Sequence, residues 1–303
     1  MEAGKYINPY TDFGFKKLFG TSMNKDLTIS LLNSLLKGEE IITDIQYDTL
    51  EHFGIGTNDR RAIFDLYCKS DKGGHFIVEM QKAEQKYFKD RSVFYSSFPI
   101  REQAIRGKEW DFKLDKIYTV GILNFVFPDN EYPDDCYHHE IKLMDVEDKH
   151  VFYDKLTYIY LEMPKFKKTE DQLETMFDKW LYALSNLPSL LKRPKALQER
   201  VFQNLFKQAE IARFSPQEVK AYEESLMIMR DLKNVVDTAE EKGINKGFKI
   251  GKKEGIEIGK KEGIDIGKKE EKIGIARVMK ESGMDIEAIK KFTKLTAEEI
   301  ENL

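Results

Sequence analysis

Apolar residues recur at three- and four-residue intervals near the start of the chain: Phe15, Leu18 and Phe19, then Leu27, Leu31, Leu32, Leu35 and Leu36. That period predicts helix across residues 1–37. The pattern then shortens. Residues 41–53 are rich in β-branched side chains and predict a strand. AIFDLYCKS (62–70) and HFIVEMQKA (75–83) flank DKGG, a turn signal, so a hairpin is expected there. Residues 87–109 look helical, with Pro99 expected to kink or break the helix. KIYTVGILNFVF (116–127) is an almost unbroken apolar run, the mark of a strand buried on both faces. HHEIKLMDVE and VFYDKLTYIYLEM read as two further strands. From about Thr169 the period returns to 3.6, with Leu173, Met176, Phe177, Trp180, Leu181 and Leu184 on one helical face, and more helix at 197–208 and 216–239.

The pattern predicts an α/β fold: a mixed sheet flanked by helices over residues 1–168, then a helical segment over 169–240. Beyond it the composition changes. Glycine falls at positions 243, 247, 251, 255, 259, 263 and 267, within the repeat GKKEGIEI–GKKEGIDI. The spacing invites a GxxxG packing interpretation, but that motif works in apolar membrane helices and this segment is full of Lys and Glu. Each interior Gly costs a helix about 1 kcal/mol relative to Ala. A four-residue step also advances about 40° beyond a full turn, so the glycines cannot hold one seam. Residues 241–274 are therefore expected to be a solvated, partly helical Gly/Lys/Glu-rich linker, with weak homo-oligomerisation as its alternative role. Residues 275–303 look folded again, with Gly283 as a helix stop, Asp285 as a cap and Thr296–Glu299 as a capping box. A helix–turn–helix is tempting here. The would-be reading helix carries Glu298, Glu299 and Glu301, which phosphates repel, so a packing or assembly motif is preferred.

Charge sharpens this picture only locally. The 303 residues carry 49 Lys plus Arg against 53 Asp plus Glu, a net charge of −4, so nothing global marks a nucleic-acid protein. From Lys82 to Lys116, however, nine basic residues face six acidic ones, with Tyr87, Phe88, Phe94 and Tyr95 interleaved. An ordinary solvated helix face accounts for this equally well. The two cysteines, Cys68 and Cys136, cannot build a disulfide framework or a Cys-based zinc site, and a reducing, cytoplasmic setting is expected. No apolar leader or spanning segment is present, so no membrane association is expected.

The hairpin carries the chemistry. If its turn centres near Lys72, residues whose numbers sum to 144 lie opposite each other, which pairs Asp65 with Glu79. Directly opposed residues share a face, and Gln81 lies two residues on, on that face again. The other face is wholly apolar: Phe64, Leu66 and Cys68 against Phe76, Val78 and Met80. Two like charges opposed in a buried sheet are destabilising, and a divalent cation relieves them. Mg²⁺ is held by one or two carboxylates plus water and substrate phosphate. The bland alternatives are a carboxylate turned to solvent, a Lys partner, or a register slipped by one, which puts the two acids on opposite faces.

The order of helix, strand, Asp-bearing strand, tight turn, Glu-x-Gln strand and helix resembles the PD-(D/E)XK nuclease core. The strings YINPYTDFGFKKLFG, FDLYCKSDKGGHFIVEMQ and DRSVFYSS, with the Gly-rich tail, are similar to the recombination-promoting nuclease (Rpn) group of PD-(D/E)XK family transposases. The resemblance is strongest over residues 6–127. It implies metal-dependent hydrolysis of DNA phosphodiesters, with Mg²⁺ (or Mn²⁺) as cofactor and DNA as partner. Asp65 and Glu79 then take the places of the metal-binding acids. Gln81 stands where most of the superfamily has Lys, and it brings no charge to the phosphate. Lys82 is adjacent, but on a regular strand it points to the other face. Asp12 begins the first helix, where the superfamily often places an acid near the metal; a helix cap explains it too. Tyr95, one turn after Arg91, faces the site or is simply half-buried. The missing charge at Gln81 leaves a second class open, an inactive DNA-binding or assembly protein that keeps the fold.

Other chemistries lack support. There is no GxxxxGK[ST] and no GxGxxG after a strand, and none of His52, His75, His138, His139 and His150 lies in HExxH. His138 and His139 are neighbours that point apart on a strand, and Cys68 reads as core packing.

Overall fold

The computed structural model describes residues 4–36, 38–48, 51–52, 62–104, 111–127 and 132–303. Arg106, Lys108 and Glu109 of the basic stretch lie outside the described residues, as does most of the join between the 41–53 strand and the hairpin. The strands are β1 (Ile45–Tyr47), β2 (Glu51–His52), β3 (Ala62–Ile63), β4 (Leu66–Ser70), β5 (His75–Gln81), β6 (Ile117–Leu123), β7 (His138–Met144) and β8 (Val151–Glu162). The main helices are α1 (Asp12–Phe19), α2 (Lys25–Leu35), α3 (Phe88–Glu102), α4 (Met176–Asn186), α5 (Arg200–Ala209), α6 (Pro216–Glu281), α7 (Ile286–Thr293) and α8 (Ala297–Glu301). The chain divides into two compact units, Met1–Asn234 and Val235–Leu303, so most of the helical segment expected after residue 168 packs within the first.

In the first unit six strands form one mixed sheet in the order β1-β4-β5-β6-β8-β7. The β5–β6 and β6–β8 pairs are parallel, and the rest are antiparallel. Strand β6 lies between two parallel partners with all seven residues buried, as its continuous apolar run requires. Leu66, Cys68, Phe76, Val78 and Met80 on one face join Tyr118, Val120 and Ile122 under α1, α2, α4 and α5. The opposite face is covered by α3. Tyr67 and Ile77 meet Phe98 there, and Leu123, Tyr158 and Tyr160 meet Phe88. Gly121 makes that approach possible, because a Cβ there meets Tyr160 at 2.9 Å and Phe88 at 3.1 Å. Any side chain at Gly121 therefore pushes on the Tyr160 and Phe88 rings, and Phe88 opens α3, whose first turn borders the candidate site.

Several departures from the expected elements have local causes. The first helical stretch is two helices, because Gly20 caps α1 and a short turn at Ser22–Asn24 redirects the chain. The expected strand over 41–53 starts only at Ile45. Before it, the Asp71 carboxylate accepts hydrogen bonds from the Thr43 and Asp44 amides and the Thr43 hydroxyl, which fixes a turn. Helix α3 passes through Pro99, which falls in its last turn, and ends three residues later.

Helix α6 is continuous through the glycine repeat, where partial helix was expected. Residues 230–272 of it are all exposed. A Cβ at any glycine from Gly243 to Gly267 meets nothing within 4 Å, so no packing in this chain demands glycine there. In the second unit the end of α6 packs on α7 and α8 through Ala276, Ile289, Leu295 and Ile300. The expected stops and caps are present: Gly283 has φ +79°, the Asp285 side chain accepts the Glu287 amide, and Thr296 and Glu299 form a capping box.

Candidate metal and nucleic-acid site

The hairpin register puts the acids together. Leu66 pairs with Val78, Tyr67 with Ile77, Cys68 with Phe76 and Lys69 with His75, so each pair sums to 144. The turn holds this register because Gly73 takes φ +89°, a conformation only glycine adopts without strain, and the Ser70 hydroxyl accepts the Gly74 amide. Asp65 sits on the bend just before β4, opposite Glu79. The Asp65 amide donates to Glu79 Oε1 at 3.2 Å, and the Met80 amide donates to Asp65 Oδ2 at 2.8 Å. Each acid therefore holds the other's strand in place. The bend breaks the alternation, so Phe64 leaves the Leu66–Cys68 face expected for it and packs with Tyr67 and Ile77 instead.

Asp65 and Glu79 line a polar cleft of about 210 Å³ with Asp12, Gln81, Lys82, Arg91 and Tyr95. Glu79 is 6% exposed and Gln81 7%. Gln81 Nε2 donates to Glu79 Oε2 at 3.1 Å, and Arg91 Nη2 lies 3.7 Å from the same oxygen. Burial, then the nearby charge of Asp65, pushes the Glu79 carboxyl up to about 8. Burial likewise raises Asp65, with a further push from Asp12. Among the described residues no group bonds Asp65 Oδ1, so one carboxylate oxygen is left for a ligand. Both acids hold a proton more tightly than usual, as expected of paired carboxylates in a dry site.

The other expected residues fall in different places. Gln81 is in the site and bonded to Glu79. Tyr95 also faces the cleft. Its hydroxyl bonds the Ile63 backbone, and burial and the Glu79 charge raise its pKa. Asp12 lines the rim but is exposed and pairs with Lys16 at 2.9 Å. Among the described residues, Asp12, Asp65 and Glu79 do not form a group whose oxygens all lie within 4.8 Å of one another. The cap of α1 is Thr11, whose hydroxyl accepts the Gly14 amide, so Asp12 is not the capping residue.

Lys82 is the residue that sequence alternation placed wrongly. Strand β5 ends at Gln81, so the period of two no longer applies one residue later, and Lys82 lines the cleft. Its charge favours ionised Asp65. In the sequence Arg91 stands out only as a neighbour of Tyr95, yet among the described residues it is the one cation within 4 Å of the Glu79 carboxylate. Its guanidinium lies over both Phe88 and Tyr95, which holds it toward Glu79.

The residues fit a hard divalent cation: two carboxylates, one with an unbonded oxygen, in a site where shedding a proton is unfavourable without a compensating positive charge. Elsewhere among the described residues, Asp145, Asp148 and His150 cluster on the β7–β8 turn, but Asp145 Oδ1 already accepts the Glu147 and Asp148 amides that close it.

Comparison with known families agrees with the geometry. The family model described as PD-(D/E)XK nuclease family transposase matches residues 9–239. A second, described as the C-terminal HTH domain of the Rpn/YhgA-like nuclease family, matches residues 269–303. It sets a helix–turn–helix where the sequence favoured a packing motif; the acidic residues of α8 that prompted that preference remain. No curated protein and no solved structure matches the chain.

Proposed function

The chain belongs to the PD-(D/E)XK nuclease family transposases, and from that premise we propose that it is a Mg²⁺-dependent DNA endonuclease with Asp65 and Glu79 as the metal ligands. The observation that carries this reading is the opposed carboxylate pair, Glu79 buried and Asp65 partly buried, with its raised proton affinity and one unbonded oxygen. Such a pair is costly to an empty fold and useful to a cation site. Bound there, Mg²⁺ supplies a polarised phosphate oxygen and a more acidic water.

The protein's own groups then have separate roles. Asp65 and Glu79 would hold the cation; the Asp65 amide donates to Glu79 Oε1 and the Met80 amide to Asp65 Oδ2, which ties each carboxylate to the opposite strand. Gln81 fixes Glu79 through Nε2 and presents a neutral amide to a water or phosphate oxygen. Lys82 brings the positive charge that Gln81 lacks to the same cleft, where it acts on charge that grows on phosphate. Arg91 balances the charge of Glu79 at 3.7 Å, a role a bound cation would share. Asp12 sits at the rim, paired with Lys16, and would add negative charge beside the cation rather than join the closely spaced pair.

Supercoiled plasmid incubated with Mg²⁺, Mn²⁺, Ca²⁺ or EDTA tests this reading. Nicking with Mg²⁺ or Mn²⁺, none with EDTA, and loss of nicking in Asp65→Asn is the expected result. Undiminished nicking by purified Asp65→Asn overturns the site. DNA binding without any metal-dependent cleavage favours the non-catalytic alternative, whose basis is the missing lysine at position 81.

A further inference from the structure

Away from the cleft, a second group of polar side chains is buried where β7 meets β8. Cys136 precedes β7, His139 lies on β7, and Glu162 is the last residue of β8. Cys136 Sγ is 3.9 Å from His139 Nδ1, and His139 Nε2 is 3.2 Å from Glu162 Oε2. His139 is 6% exposed and Glu162 fully buried, whereas Cys136 is partly exposed.

The hydrogen bonds fix the proton positions. Glu162 Oε1 accepts the Phe127 amide at 2.5 Å, and Oε2 lies 2.6 Å from Lys165 Nζ. Burial disfavours its charge, but Lys165, the Phe127 amide and His139 outweigh that and hold the carboxyl below its ordinary range. An ionised Glu162 accepts a hydrogen bond from Nε2–H of His139. That tautomer leaves the Nδ1 lone pair aimed at the Cys136 sulfur. Thiol, imidazole and carboxylate then stand in the order that activates a nucleophile, at a sulfur–nitrogen spacing typical of a resting site.

We propose that Cys136 is a nucleophilic thiol, activated by His139 and Glu162, that takes up small disulfides by exchange. The thiol proton moves to His139 Nδ1. The thiolate attacks one sulfur of the disulfide, so a new S–S bond forms as the old one breaks. The departing thiolate takes the proton back from Nδ1. Cys136 is oxidised to a mixed disulfide, and the reagent is reduced to one free thiol. The mixed disulfide persists, since Cys68, the other thiol, is fully buried in the core on the sheet.

The charged and titratable groups around the sulfur come from each neighbouring element. Among the described residues they are His139 on β7, Glu162 ending β8, Lys165 in the turn that follows, and Tyr132 and Asp135 before Cys136. Lys165 Nζ also donates to the Cys136 carbonyl at 3.4 Å, which adds a positive charge near the thiolate.

The test uses the full chain and 2,2′-dithiodipyridine between pH 4 and 9, with reduced glutathione as the reference thiol. Release of pyridine-thione gives the rate, and peptide mass spectrometry locates the label. We expect one fast thiol at Cys136, about 10- to 100-fold faster than glutathione at pH 5, with the fast phase gone in Cys136→Ser. Glu162→Gln and His139→Gln should each lower that rate at least about tenfold. If either variant fails to fold, the wild-type profile decides alone. A rate at pH 5 no greater than that of glutathione, or a fast phase surviving in Cys136→Ser, overturns the proposal.

Discussion

Replacing Glu79 by Gln should make the metal-free protein more stable at pH 8 and leave it no more stable at pH 5. The folded state holds the Glu79 proton up to about 8, whereas the reference carboxyl releases it near 4.5. Between those values the folded chain binds more protons than the unfolded one, so wild-type stability falls as pH rises through the window. Each tenfold in proton affinity is worth ~1.36 kcal/mol, which sets a ceiling of about 5 kcal/mol on the cost at pH 8. The cost is shared with Asp65, and the substitution loses the bond from Gln81, worth about 1 kcal/mol. A net gain on the order of 2 kcal/mol at pH 8 remains. Urea unfolding of both proteins in EDTA at pH 5 and pH 8 measures it through the midpoints at constant slope. Saturating Mg²⁺ should reverse the order at pH 8, because the cation stabilises only the protein that binds it. Equal destabilisation of the variant at both pH values would show that Glu79 is an ordinary paired carboxylate and refute the reasoning.

Gln81→Ala should slow single-turnover plasmid cleavage by roughly 10²-fold while weakening DNA binding much less, since its contact matters most as charge develops on phosphate. Lys82→Met should lower the same rate at least about tenfold without moving the urea midpoint, because Lys82 has no ion-pair partner among the described residues. Truncation after Lys242 should leave the first unit folded, as residues 230–242 are exposed; thermal unfolding by circular dichroism checks it, and an unfolded product contradicts it. Gly255→Ala with Gly259→Ala should raise tail helicity on heating by about 1 kcal/mol per site, since the added methyls meet nothing.

The parts of the site legible in the sequence were those set by a local rule. DKGG fixed the turn, the turn fixed the sum of 144, and the sum brought Asp65 to Glu79. The buried run of β6 and the caps at Asp285 and Thr296 were legible for the same reason. What escaped depended on where a local rule stops or on distant partners. Lys82 and Phe64 lie at strand breaks, where alternation fails. The split of the first helix followed from one Gly and a turn that apolar spacing does not register. Arg91 became a site residue only when α3 folded over the sheet, which depends on the close approach at Gly121. Cys136, His139 and Glu162 meet because β7 and β8 pair His139 with Tyr160, beside the end of β8. No spacing motif announces that pairing.

Titration calorimetry of Mn²⁺ into the metal-free full-length protein at pH 7, repeated in two buffers of different ionisation enthalpy, tests the carboxylate site most directly. Mn²⁺ should bind with release of protons, because burial and the Asp65 charge keep Glu79 largely protonated until a cation arrives. Asp65→Asn and Glu79→Gln should each abolish both the binding and the buffer-dependent heat. Binding that survives in either folded variant, or that releases no proton in the wild type, contradicts the assignment of Asp65 and Glu79 as the metal ligands.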